Sequence, residues 1–352
     1  MKAKSISDII FIITLVLLAI IFGAGVYAQP KQSFSEEENR VLAGAPEFSI
    51  NSLLSGEFFD DLNSFHADKI PLRVLMIRAK AVCELSLGKK ENNGVLFSDD
   101  GRMADRTYYG DLDILKQNIA RADRLKEDGA ILALVPRSAD VYFRSNESSR
   151  ICEISGELPL LDILSDVGPT AYYYTDHHLD ADGAFAVYQY IMEALGKTPI
   201  LREDLQLTAV SDSFLGTAYS KGGLLPLARD TVSTWRYSGD EDMIVKCSDV
   251  GCNIHSLYAP SELSVKDKYR YFLAGNHGVL TVSSNDGIER ERLFIIKDSF
   301  ANSIIPLLAA HFDLTVWDPR YSPIPSEVQS EGTRTVLLCG IDTLATVKGF
   351  LN

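Results

Sequence analysis

The sequence contains no C-x-x-C pair, no H-E-x-x-H helix motif and no cluster of Lys or Arg. The first absence leaves a zinc ribbon or a thioredoxin-like site without its ligands. The second removes the i, i+4 histidine pair of a zinc hydrolase. The third, on a chain of formal net charge −14, argues against the phosphate backbone of a nucleic acid as partner. No internal repeat or low-complexity tract occurs, and no early run of spaced aspartates follows a strand, which leaves a two-metal phosphoesterase unsupported. What is present is 352 residues, 46% of them hydrophobic, enough to bury one large core or two modest ones.

One stretch stands outside any soluble core. Ile9 to Ala28 is uncharged and apolar and follows Lys2 and Lys4, long enough to cross a bilayer with the amino-terminal lysines on the cytoplasmic side. Val26-Tyr-Ala28 resembles a small-residue cleavage site, so an anchor competes with a removed signal peptide; either way the remainder is expected outside the cytoplasm. Of five cysteines, Cys247 and Cys252 are spaced to close a short loop, and Cys83 and Cys339 read as buried thiols; Cys152 has no obvious partner.

In order, residues 31–45 read as a polar stalk, and two helices follow: Gly56 to Asp68, with Phe58, Phe59, Leu62 and Phe65 inward, and Pro71 to Leu87, with Leu72, Leu75, Ala79 and Val82 inward. A helix over Asp111 to Lys126 leads into the apolar run Ala130 to Val135, the helix-then-strand step of a parallel α/β sheet. Leu201 to Ala274 reads as a mostly β excursion, with Tyr269 to Leu273 as a strand that leads back to α/β order. Further strands are expected at Val279 to Val282, Leu293 to Ile296, Leu314 to Trp317 and Thr335 to Cys339, and a helix at Phe300 to Phe312, kinked by Pro306.

The chemistry concentrates in Tyr172-Tyr-Tyr-Thr-Asp-His-His-Leu-Asp-Ala-Asp-Gly183. The following helix has Asp180 or Asp182 as its N-cap. Asp176, two residues before His178, can orient that imidazole through Nδ1 and leave Nε2 as a general base. The matching nucleophile is Ser299, 121 residues later, at a strand-to-helix turn where the first N–H groups of the helix face a developing oxyanion. A serine there also serves as a helix cap, and a buried histidine as a core hydrogen-bond partner. His177 packs or bonds locally, Asn276 donates to an oxyanion or forms a turn, and Asn302 supports the same pocket or faces solvent. A metal site built from Asp176, His177, His178, His277 and His255 is disfavoured, because adjacent histidines converge poorly on one ion.

These residues resemble the bacterial DHHW family, whose domain is similar to SGNH hydrolases and to periplasmic alginate O-acetyltransferase proteins. The resemblance rests on Phe34-Ser-Glu-Glu-Glu-Asn-Arg40, Asn93-Gly-Val-Leu96, Thr175-Asp-His-His178, Gly216-Thr-Ala-Tyr-Ser220, Gly275-Asn-His-Gly278 and Lys297-Asp-Ser-Phe-Ala-Asn302. It implies an α/β fold: an SGNH-like, flavodoxin-type parallel sheet over 91–352 with a β-rich insertion at about 201–274, a stalk and helical bracket at 31–90, and a single transmembrane or signal segment at 1–30. It also implies a Ser299–His178–Asp176 triad that transfers or removes an acyl group, most simply acetyl, on a cell-surface polysaccharide, without a diffusible cofactor and with a multipass membrane O-acyltransferase as possible partner. A catalytically silent polysaccharide-binding or assembly protein on the same scaffold is the alternative. Two positions depart from the pattern: Leu179 stands where the family has Trp, and Lys297 where SGNH proteins commonly have Gly.

Overall fold

The structure, a computed structural model, describes residues 2–28, 32–35, 37–38, 40–106, 112–143, 153–156, 158–224, 229–325 and 333–351. Cys152 lies outside the described residues. The chain forms two compact units, one of residues 1–93 with 220–225, the other of 94–219 with 226–352.

In the first unit the helix Lys2–Ala28 contains Ile6–Val26, long and apolar enough to cross a membrane. Beyond it, Phe34–Ser35 pairs antiparallel with Arg40–Val41. Glu38 accepts from Arg40 Nε and from Arg73 Nε, both at 2.8 Å, while Asp68 pairs with Arg40 and accepts the Ala43 N–H at 2.8 Å. Charge pairing thus ties the polar segment to the helices Glu57–Asp68 and Arg73–Ser86. The expected inward faces do not form: Leu72, Leu75, Val82 and Phe59 are exposed, and Ala81 is the buried residue of the second helix. A unit this small has too little apolar surface to cover both sides of its helices. Cys83, expected to be buried, is exposed on the same helix.

The second unit is organised by a six-stranded, mostly parallel sheet: β1 (Ile131–Val135), β2 (Met243–Cys247), β3 (Val279–Ser284), β4 (Glu291–Lys297), β5 (Phe312–Trp317) and β6 (Arg334–Gly340), in the spatial order β1-β6-β4-β5-β3-β2. Alternate residues of a strand enter different clusters. Leu293 and Ile295 of β4 join Leu160, Leu164, Tyr188 and Ile191 on one side, and Phe294 and Ile296 join Leu115, Ile119 and Leu344 on the other. Both faces are covered by helices, so β4 reads as a continuous apolar run rather than an alternating one.

β1, β6, β4 and β5 run parallel, but β3 is antiparallel to β5 and to β2. The short connection from β3 to β4 accounts for this, because a parallel crossover needs about a dozen residues or more. Two other expectations change. The segment after Ser299 is a 3-10 turn, Ser299–Ser303, followed by a separate short helix, Ile305–Ala309, and Phe312 already begins β5. Pro306, with no N–H and a fixed φ, opens a new helix more readily than it continues one. Lys268–Tyr271 is likewise a 3-10 turn rather than a strand, followed by Leu273 (φ 57°) and Ala274 (φ 54°) in the left-handed region.

In the 201–274 stretch, Gln206–Phe214 pairs antiparallel with Asp230–Arg236, and β2 joins the edge of the main sheet. Cys247 and Cys252 are joined as a disulfide; Cys339 is buried in β6.

Asp180 is the N-cap of the helix Ala181–Ala194 and accepts the N–H groups of Asp182 and Gly183. Burial pushes its carboxyl up to about 7, with Asp182 and Asp230 adding to the effect. A carboxyl whose folded value exceeds the unfolded value of about 3.9 stabilises the fold fully below that lower value, and this is lost as pH rises through the folded one. Asn caps as well as Asp without carrying charge. Asp180→Asn is therefore expected to raise the melting temperature at pH 8, by about 2–4 °C for each kcal/mol recovered, with little gain at pH 5; thermal melts at the two pH values check this.

Candidate functional site

The site forms at the carboxyl edge of the sheet, where open α/β folds place their ligands. Ser299 follows β4 at the start of its 3-10 turn, and Asp298 caps that turn by accepting the Phe300 N–H at 2.9 Å. The other Asp298 oxygen accepts from Gly340 N (2.8 Å) and Thr343 Oγ1 (2.6 Å), tying the turn to the end of β6. The cap is thus Asp298, which leaves the Ser299 hydroxyl for other work. The Ser299 N–H has no acceptor among the described residues.

Asp176 to His178 lie on a tight loop before the helix Ala181–Ala194. A bridge between Tyr172 and Leu179 and a bond from Tyr173 N to His178 O close the loop. Asp230 staples it from outside, accepting from Tyr174 N (2.7 Å), Thr175 N (2.8 Å) and Thr175 Oγ1. Leu179, the departure from the family's Trp, is fully buried in the core and lines no part of the site. What changes there is packing.

The structure brings Asp176, His178 and Ser299 into one hydrogen-bonded chain. His178 Nδ1 is 2.6 Å from Asp176 Oδ1, and His178 Nε2 is 2.9 Å from Ser299 Oγ. Asp176 Oδ1 also accepts the His178 N–H, and Oδ2 accepts from Thr217 N (2.7 Å) and Thr217 Oγ1 (3.0 Å). Burial opposes charge on this carboxyl, but both imidazoles and these donors outweigh it and hold it well below the usual carboxylate range. An ionised Asp176 only accepts, so Nδ1 carries the imidazole proton and Nε2 faces Ser299 as an acceptor. Burial, reinforced by His177, pushes His178 down to about 4 against the pull of Asp176, so the ring is a neutral base at physiological pH. Ser299 is half-buried, with its hydroxyl directed at that base.

Sequence reasoning missed two supports. Tyr269 stacks on His178 with ring centroids 3.8 Å apart, and its hydroxyl lies 3.1 Å from both Ser299 O and Ser303 Oγ. No periodic pattern marks an aromatic residue in an irregular turn, so nothing in the sequence pointed to it. Thr217 was present in the Gly216-Thr-Ala-Tyr-Ser220 motif, but its partner was not legible. Gly216 explains that motif's glycine: a Cβ there would collide with the Asp176 carboxylate.

The remaining candidates separate. His177, with its ring centroid 3.9 Å from that of His178, donates from Nδ1 to Thr217 Oγ1 at 2.7 Å. Asn302 is buried rather than solvent-facing; its oxygen accepts from Lys297 Nζ (2.8 Å), and its amide reaches Gly275 O and Asn276 Oδ1. His277 sits with the Cys247–Cys252 disulfide, away from the Asp176 group, and His255 bonds Asn253. The ligand atoms of Asp176, His177 and His178 lie close enough to share an ion, but the Asp176 oxygens already accept four donors and both His178 nitrogens are engaged. This donor set is arranged for proton transfer. A cavity of about 390 Å³ beside Tyr174, Asp180 and Asp230 contains none of the triad residues.

Residues 147–317, which hold the whole constellation, match the family model described as DHHW protein. This segment belongs to the DHHW family. Among solved structures, a DHHW family protein from Eubacterium siraeum is 19% identical, with 72% of this chain and 93% of that chain covered and a TM-score of 0.57. Bacillus cereus PatB1, solved with a sulfonyl adduct, is 20% identical over 71% of this chain and 95% of that chain, also with a TM-score of 0.57. Both share the fold with this DHHW domain. No match was found among curated proteins.

Because the base must be unprotonated, the acid limb of kcat/KM for any Ser299-dependent reaction is expected below pH 6.5, near the shifted His178 value. His177→Ala removes one of the two causes of that shift, so its acid limb should move toward 6.5. A pH–rate series on the two proteins measures the displacement; coincident limbs would contradict the assignment.

Proposed function

We propose that the protein is an SGNH-like acyltransferase or esterase, acting with acetyl groups on a cell-surface polysaccharide outside the cytoplasm and tethered by its amino-terminal helix. The observation that carries this reading is the continuous contact Asp176 Oδ1···His178 Nδ1 with His178 Nε2···Ser299 Oγ, built from residues 121 positions apart on a sheet edge. Buried carboxylate, oriented imidazole and half-exposed hydroxyl are the parts that covalent acyl transfer needs.

In this reading Ser299 Oγ attacks the acyl carbonyl as its proton passes to His178 Nε2. Asp176 keeps the ring in place and offsets the imidazolium charge. The Ser299 N–H, without an acceptor of its own, is placed to donate to the tetrahedral oxyanion. His178 then returns the proton to the departing oxygen, leaving an acyl-Ser299. Attack by a sugar hydroxyl, deprotonated by His178, completes transfer; attack by water completes hydrolysis. No diffusible cofactor enters. Transfer outside the membrane needs an acyl donor delivered across it, the role that resemblance to alginate O-acetylation proteins gives to a multipass membrane O-acyltransferase. The helix containing Ile6–Val26 suits an anchor, though a signal sequence has the same length and character.

The detergent-solubilised full chain is expected to hydrolyse an aryl acetate, and Ser299→Ala or His178→Ala to lower kcat by about 10³-fold or more. A sulfonyl fluoride, chosen because PatB1 was solved as a sulfonyl adduct, should label Ser299, read by mass spectrometry. Equal rates in all three proteins, together with no label, would leave the silent scaffold as the better account.

A further inference from the structure

Lys297 is the residue that the triad does not use. Its side chain has no exposed surface, it is two residues ahead of Ser299, and it stands where related proteins commonly carry Gly. Burying an ammonium group is costly unless it is paired and hydrogen-bonded, so its surroundings show what it holds. Nζ lies 2.8 Å from Asn302 Oδ1, 3.3 Å from Asn276 Oδ1 and 3.6 Å from Asp318 Oδ2. Asp318 is itself fully buried and held by Arg320 through contacts of 2.7 and 2.9 Å.

A lysine ammonium has three donors and no acceptor, so it fixes which end of each neighbouring carboxamide faces it. Both asparagines must turn their oxygen toward Nζ. For Asn302 this sends the NH₂ group to Gly275 O at 3.3 Å and Asn276 Oδ1 at 3.2 Å. For Asn276 the oxygen then receives two donors, from Lys297 and Asn302, and its NH₂ group has no acceptor among the described residues. Asn276 is also the exposed member of the network. The buried part of the network is saturated, and one amide N–H pair is left facing outward.

We infer that Lys297 is a positioning residue that sets the Asn276 carboxamide with its NH₂ group presented as the second oxyanion donor, beside the Ser299 N–H. The inference rests on the acyl-transfer reading and extends it. It also accounts for the departure from Gly: the charge serves the amides behind the nucleophile. Burial pushes Lys297 down to about 8, opposed by Asp318 and Asp298 and reinforced by Arg320, so the ammonium form prevails at pH 7.

The test compares Asn276→Asp, Asn276→Ala, Lys297→Met and the Lys297→Met/Asn276→Ala pair in the full chain, with kcat and KM for aryl acetate hydrolysis and a thermal melt for each. Asn276→Asp keeps the oxygen that Lys297 and Asn302 use and removes only the NH₂ donors. Both Asn276 variants should lose about 10²-fold in kcat with KM little changed. Lys297→Met should lose at least ~10-fold, and the double variant no more than Asn276→Ala alone, as residues acting through one another do. Near wild-type kcat in Asn276→Asp would overturn the inference, as would additive losses in the double variant. If Lys297→Met fails to fold, the Asn276→Asp result decides. If the wild type is active and dependent on Ser299 while both Asn276 variants are unaffected, this inference falls and the triad reading stands; if the wild type itself is inactive, both fall.

Discussion

The buried carboxylate of Asp176 is the constraint on which the site depends. A charge taken out of water is tolerated only when donors replace its hydration, and Asp176 receives four, from the backbone and ring of His178 and the backbone and hydroxyl of Thr217. Each donor fixes a different piece of chain. The two from His178 set the ring in the plane that reaches Ser299, and the two from Thr217 draw in a segment 41 residues away in sequence. Gly216 is the steric condition for that approach. Loss of any donor would leave part of a negative charge unsolvated beside the base, so the loop's shape and the base's protonation state come from one requirement.

The sheet supplies the other half. β4 lies between parallel neighbours and is covered by helices on both faces, so its end is held from several sides. Asp298 extends this rigidity past the last strand residue by bonding to its own turn and to the end of β6. Ser299 therefore emerges from the best-ordered part of the domain, although it belongs to an irregular turn. Tyr269 adds a cover over the imidazole, stacked at 3.8 Å, from a segment with no regular structure of its own. Precision at a nucleophile usually comes from such an arrangement, in which a rigid strand aims the group and loops supply its partners.

Much of this was legible in the residues, for identifiable reasons. Asp176 and His178 are two apart, and an acid and an imidazole at that spacing have few structural uses; Ser299 sits between an apolar run and a helical pattern, and both patterns have a period. The six sheet strands fall at or near the expected segments for the same reason. Direction was not legible, because an apolar run of strand length does not say which way it points; β3 proved antiparallel. Pro306 marked a break but not its form, a restart rather than a kink. Tyr269 and Thr217 could not be assigned, since their roles arise from contacts with no sequence period, and Lys297 looked like an anomaly until its amide partners were in view. The inward faces of the first unit's helices were misread, because periodicity shows which residues share a side and not whether anything covers it.

Leu179 carries a lesson for how such chains are classified. The fourth letter of the motif that names the family is Trp, and here it is a leucine whose side chain lies wholly within the core, on the far side of the backbone from the reacting groups. The letter thus records the volume available beneath the loop, a property of that fold's interior, while the first three record reactivity. Screens that require all four would discard members whose proton relay is intact, and would mistake a difference in interior volume for a loss of chemistry.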